Sequence, residues 1–168
     1  IASAVSEINL RGVRGMTLGD VAARLDLVPT GVIYYFRNKE ELAAACFLRA
    51  IARYEEVVSA GLAAGSADRS RLRAFVDGWL AFKAQAEQGH AEPIVILNDA
   101  RGLDAPTVNE AFIAMFRRAR SLIEGPPGGR LPAIHNAART HLLLSELFWS
   151  VSWLETRDVA DFGRGADR

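Results

Sequence analysis

Thr17-Leu18-Gly19-Asp20-Val21-Ala22 and, a few residues on, Val28-Pro29-Thr30-Gly31-Val32-Ile33-Tyr34-Tyr35-Phe36-Arg37-Asn38-Lys39-Glu40-Glu41-Leu42 together describe two short helices and the start of a long one. Thr17 is placed to cap the first, with Asp20 three residues later as its reciprocal partner. Leu18, Val21, Ala22 and Leu25 then recur at the spacing of one inner face. A short turn over Asp26–Val28 leads to Pro29, whose fixed φ and missing N–H suit the first position of a helix. That helix is brief, from Pro29 to about Tyr35. Asn38 reads as the next N-cap, with Glu41 at the capping-box position. The helix it opens runs to about Ala60, with Ala44, Phe47, Leu48, Ile51, Tyr54 and Val58 on one side. Upstream, Ile1, Ala4, Val5 and Ile8 form an apolar stripe that ends at the Gly12–Gly15 breaker.

Three short helices with a tight turn before the third are the components of a helix-turn-helix. In this reading Val21, Ala22, Leu25, Leu27 and Val32 pack the second helix on the third. The outer face and N-terminal end of the third remain free, and the major groove of DNA is about as wide as a helix.

The remainder of the chain is also helical in pattern. Gly61–Ala67 is a run of small residues and the expected hinge between a head (1–58) and a body (59–168). Leu72, Phe75, Val76, Trp79 and Phe82 form an aromatic helix face. The Ile94-Val95-Ile96-Leu97 run has no partner strand, so Pro93–Asp99 is expected to be a short helix. Pro106 opens another helix, with Val108, Phe112, Met115, Phe116, Ala119 and Ile123 inward. Pro126–Gly129 is a loop, and Pro132 starts a helix reaching about Thr156 that is apolar on several sides. Such a helix buries more than one face. One side fits its own domain and the other a partner chain. The expected class is all-α.

Bulk properties narrow the function. No apolar run approaches the roughly 20 residues needed to span a bilayer, so the chain is expected to be soluble and cytoplasmic, without membrane contact. The single cysteine, Cys46, rules out an internal disulfide and suits a reducing compartment. Both termini are expected to be incomplete, since the chain opens on Ile1 and stops in the polar Gly163–Arg168 stretch. Lysine plus arginine equals aspartate plus glutamate, at 20 each, and residues 1–58 balance as well, so DNA binding must rest on local arrangement. The histidines are His90, His135 and His141, and the two that share a helix are badly phased for one metal. No phosphate-cradling glycine loop, nucleophile elbow or metal-ligand cluster is present. An enzyme is not expected, nor a metal or other cofactor.

The two stretches quoted above resemble the N-terminal signature of TetR-family transcriptional regulators, and the likeness extends over roughly Ile1–Val58. The resemblance implies that bases are read by Pro29, Thr30, Gly31 and Ile33. It implies that Tyr34, Tyr35, Lys39 and Thr17 hold the phosphate backbone, contacts that position without specifying sequence. The chain departs from the family pattern at Val28, where a serine cap is frequent, at Ile33 for a frequent tyrosine, and at Tyr35 for a frequent histidine.

The resemblance further implies a body that binds a small effector and pairs two subunits, so the partners expected are an operator duplex, a hydrophobic small molecule and a second copy of the chain. Phe75, Trp79, Phe82, Phe112, Met115 and Phe116 are the candidate apolar pocket wall. His141 and Ser145, with Asn98, Asp99 and Arg101, are its candidate polar groups. Leu144, Phe148, Trp149 and Trp153 are candidates for the dimer seam. A dimer sets two recognition helices about one helical turn apart, ~34–36 Å, against a near-palindrome. The function expected is a ligand-responsive repressor. Other readings of the same sequence are an activator, a regulator controlled by a protein partner, and a helical dimerisation module that does not bind DNA.

Overall fold

The computed structural model describes residues 1–123 and 133–153, and all regular structure among them is helical. In order these are α1 (Ala2–Gly15), α2 (Leu18–Ala23), α3 (Pro29–Ile33), α4 (Lys39–Ala63), α5 (Asp68–Glu87), a 3₁₀ turn (Leu97–Gly102), α6 (Pro106–Arg120) and α7 (Ala133–Trp153). The Pro126–Gly129 loop, Pro132 and the extension toward Thr156 lie outside the described residues. Among the described residues no helix is long and apolar enough to cross a membrane.

The chain divides into two compact units, one of residues 1–53 and 93–115, the other of 54–92 and 116–168. In the first unit, Ala4, Val5 and Ile8 of α1 are buried, as their spacing predicts. The helix is interrupted at Gly12, whose φ of 69° and ψ of 169° suit a residue without a side chain. That kink lets Met16 turn fully into the core. Residues 93–96 are not the helix expected from sequence, since the chain is irregular there and turns to 3₁₀ only at Leu97. The reason is a side chain from far away in sequence. The Asn9 amide donates to the Ile94 carbonyl at 2.7 Å and accepts from the Ile96 N–H at 3.0 Å. It thereby supplies the hydrogen bonds that a partner strand would give, while Ile94, Val95 and Leu97 are buried.

The second unit is built around stacked rings. Tyr54 lies on Trp79 at 4.6 Å between centroids, and Phe148 meets Tyr54 edge-on at 4.8 Å. The Trp79 indole N–H donates to the Ser150 hydroxyl at 3.3 Å, which in turn donates to the Leu147 carbonyl at 2.6 Å. Lys83 is buried and ion-paired to Glu87 one turn on. The Tyr54 hydroxyl has no hydrogen-bond partner among the described residues, and burial pushes its pKa well up.

Gly61 corrects another expectation. The small residues of Gly61–Ala67 read as a break, yet α4 continues through Gly61 to Ala63. A Cβ at Gly61 would stand 2.9 Å from the Phe75 Cβ, 3.0 Å from a Leu122 methyl and 3.1 Å from the Arg71 carbonyl oxygen. The glycine is therefore a close-packing position, where the backbone of α4 meets α5. Gly61→Ala should lower stability by about 1–3 kcal/mol through overpacking, although alanine is the better helix former by about 1 kcal/mol. A urea titration showing a lower midpoint at unchanged slope is the expected result, and a raised midpoint would contradict the packing.

Candidate nucleic-acid interface

The head is assembled from helices too short to stand alone, so its geometry comes from side chains that tie them together. The central tie is Glu7, buried on α1. Its carboxylate accepts from the Arg24 Nε at 2.5 Å and lies 3.5 Å from the Arg11 Nε. Arg11 also reaches Asp20 at 3.3 Å. Asp20 then closes the start of α2: the Thr17 hydroxyl donates to its carboxylate at 2.7 Å, and the Asp20 N–H donates back to the Thr17 oxygen at 3.1 Å. The Thr17 hydroxyl, with Arg11 beside it, holds the Asp20 carboxyl below the ordinary aspartate range. The reciprocal cap expected from sequence is therefore formed.

The turn after α2 is a Schellman closure on Asp26, which takes a left-handed φ of 54°. The Asp26 N–H donates to the Ala23 carbonyl at 3.2 Å and the Leu27 N–H to the Ala22 carbonyl at 2.9 Å. This closure overturns one expectation. Leu25 and Leu27 are not buried between the two helices: about half of each stays exposed, although the Leu27 side chain still lies beside Gly31 of α3. Val21, Ala22 and Val32 alone form the buried wedge there.

On that wedge α3 opens at Pro29, with no side-chain cap from Val28, as the departure at that position implies. Val32 points inward, and the surrounding residues point out. Pro29 and Thr30 are exposed and Gly31 is half-buried. Val28 is 68% exposed, Ile33 48%, Tyr34 83% and Tyr35 75%, and the two tyrosine rings meet edge to face at 5.1 Å. The start of α4 lies beside them. Asn38 accepts from the Glu41 N–H at 2.8 Å, while the Glu41 carboxylate reaches one residue further back than a capping box requires, to the Arg37 N–H at 2.8 Å. Lys39 donates to the Arg14 carbonyl at 2.9 Å, at the end of α1. Its charge thus sits where a helix C-terminus favours a cation. All eight positions that the resemblance marks for DNA lie between the start of α2 and the start of α4 in the first unit.

The predicted body residues separate. Phe75 and Trp79 are fully buried in the second unit, with Phe82 half-buried against Trp79 at 5.8 Å. Half-buried Phe116 meets the exposed His141 ring at 4.8 Å, and Ser145 is half-buried. Met115 and Phe112 fall in the first unit, the former fully buried. The side chains of Asn98, Asp99, Arg101 and Trp153 lie outside the described residues. Leu144 and Phe148 are buried within the single chain, with Phe148 against Tyr54. Trp149 is 55% exposed, and Leu142, which is not among the seam candidates read from sequence, is 67% exposed two turns earlier. Their spacing on one helical face was the available signal. Among the described residues no cluster of histidine, cysteine or carboxylate side chains gathers as a metal site.

Residues 1–46 match the family model described as bacterial regulatory proteins, tetR family. No curated protein matches the chain by sequence. Among solved structures it is similar to the TetR family transcriptional regulator PfmR from Thermus thermophilus, with a TM-score of 0.69, 20% identity, and 93% of this chain and 84% of that one covered. It is similar to AibR, solved in complex with isovaleryl coenzyme A and operator DNA, with a TM-score of 0.68, 18% identity and coverage of 98% and 94%. The fatty acid degradation regulator FadR from Bacillus halodurans gives a TM-score of 0.66 at 18% identity, with coverage of 94% and 82%. At these identities the structural likeness speaks to fold, and the family model speaks to the head. Residues 1–46 of this chain are thus similar to the bacterial regulatory proteins of the tetR family.

Proposed function

We propose that the protein is a transcriptional repressor that binds a near-palindromic operator as a dimer and is released by a small apolar or aromatic effector. The observation that carries this reading is α3, whose outer side chains are exposed on a scaffold capped and ion-paired from behind. Pro29, Thr30, Gly31 and Ile33 then face base edges, while Thr17, Tyr34, Tyr35 and Lys39 meet phosphates. Among the described residues Lys39 gives one ammonium hydrogen to the Arg14 carbonyl, and an ammonium carries three donors, which supports a further bond to a phosphate oxygen.

The effector is assigned to the aromatic interior of the second unit, with Phe75, Trp79, Phe82 and Phe116 as wall and His141 and Ser145 as polar groups. AibR is solved with an acyl-coenzyme A, and two other relatives in fold are named for fatty acid degradation and for ketosteroids, which supports an apolar effector. The pairing surface is assigned to the outer face of α7, where Leu142 and Trp149 stand exposed. Release is a shift of population: the effector favours a body arrangement whose α4, one continuous helix from Lys39 to Ala63, withdraws the head from its operator pose. A change from mostly bound to mostly free needs about 5 kcal/mol of differential affinity.

Two variants test the interface. Lys39→Ala should weaken binding to every duplex alike and reduce the salt slope of log K by about 0.9, the signature of one lost phosphate contact. Anisotropy titrations from 50 to 200 mM salt, roughly the range over which such contacts are felt, would read this, and an unchanged slope removes Lys39 from the interface. Gly31 supplies the second test. A Cβ there would meet only Leu27, at 3.8 Å, so packing does not demand a glycine. Gly31→Ala should hold or raise stability, by up to about 1 kcal/mol, while operator affinity falls about tenfold or more, the equivalent of ~1.4 kcal/mol. Unchanged affinity would mean that no surface approaches α3 closely.

A further inference from the structure

The exposed face of α3 is chemically unusual for a reader of bases. From Leu27 to Phe36 the chain contains no arginine, lysine, asparagine or glutamine. Guanine is read by the forked donors of arginine or by lysine, and adenine by the paired donor and acceptor of asparagine or glutamine. None of these stands on the recognition helix. The flanking guanidinium groups do not substitute for them: Arg24 is ion-paired to the buried Glu7, and Arg37 lies beyond α3, on the loop that leads to α4. What α3 and its N-cap offer instead is hydrocarbon. Val28 and Ile33 are exposed, as are Pro29 and Thr30.

Covering such groups gains free energy only where they meet other apolar atoms. The edges of the bases in the major groove carry one apolar group, the C5-methyl of thymine, and cytosine acquires the same group when methylated at C5. Resting on the DNA-binding reading above, we infer that this protein recognises its operator chiefly through pyrimidine C5-methyl groups, packed against Val28 and Ile33. Affinity then comes from backbone contacts, and base choice comes from where methyl groups fall in each half-site. The Thr30 hydroxyl adds the one base-directed hydrogen-bonding group on the first turn.

The test begins with duplexes selected from a random pool by the full chain. Each thymine in the selected half-site is then replaced by deoxyuridine, which removes the methyl and leaves the hydrogen-bonding edge intact. Burial of one methyl group corresponds to about a fourfold change in affinity, so a loss of that size is expected at two or more thymines per half-site. Val28→Ala and Ile33→Ala alter exposed side chains and should each abolish the loss at one position. A parallel arm compares cytosine with 5-methylcytosine at the same positions. Loss with deoxyuridine upholds the inference with thymine as the source. A fourfold gain with 5-methylcytosine alone upholds it with methylated cytosine as the source. Equal binding in both arms, or losses that persist unchanged in the two variants, overturns it. If no duplex is retained at 50 mM salt, DNA binding itself fails and the methyl reading falls with it.

Discussion

One buried carboxylate holds the head together. Glu7 is buried on the inner face of α1, and an ionised group there is tolerable only because Arg24 and Arg11 reach it. Arg24 follows α2, so the pair ties α1 to the far end of α2, while Arg11, through Asp20, ties α1 to its near end. Helices as short as α2 and α3 do not persist on their own hydrogen bonds. Their orientation is inherited from this tie, from the Thr17–Asp20 cap, and from the small wedge of Val21, Ala22 and Val32. A buried ion pair adds little net stability against an apolar replacement, but removing one partner leaves an uncompensated charge. Glu7 thus serves orientation more than stability, and orientation is what a recognition helix needs.

The same arrangement is compatible with the proposed nucleic-acid surface on a chain of zero net charge. Much of the head's charge is turned inward or laterally: Arg11 and Arg24 to Glu7, Asp20 to Thr17, Lys39 to the end of α1, Glu41 to the Arg37 amide. What remains on α3 is nearly free of charge and rich in β-branched and aromatic side chains. Long-range attraction contributes little to such a surface, and local fit contributes much.

The parts of this architecture that were legible in the sequence are those governed by local chemistry. Thr17 with Asp20, Pro29 at a helix start and Asn38 before α4 act on neighbours three or four residues away, and each stands in the structure where its local signal places it. Where the answer depended on distant residues, pattern alone misled. Gly61 resembles a breaker until Phe75 and Leu122 are seen against it. Residues 93–96 are irregular because Asn9 supplies their hydrogen bonds across the fold. Leu27 lies beyond the left-handed Asp26, which ends the helical period of α2. On α7 several sides are apolar, so periodicity does not separate the buried Leu144 and Phe148 from the exposed Leu142 and Trp149.

The central claim is that the outer side chains of α3 meet DNA, and side-chain oxidation by hydroxyl radicals tests it without reference to sequence specificity. With the full chain bound to a selected operator, Ile33, Tyr34 and Tyr35 should become several-fold less reactive, while the exposed Ile113 of α6 responds no differently to the duplex than to buffer. Undiminished oxidation of both tyrosines and Ile33 in the complex, at saturating duplex, would contradict the account.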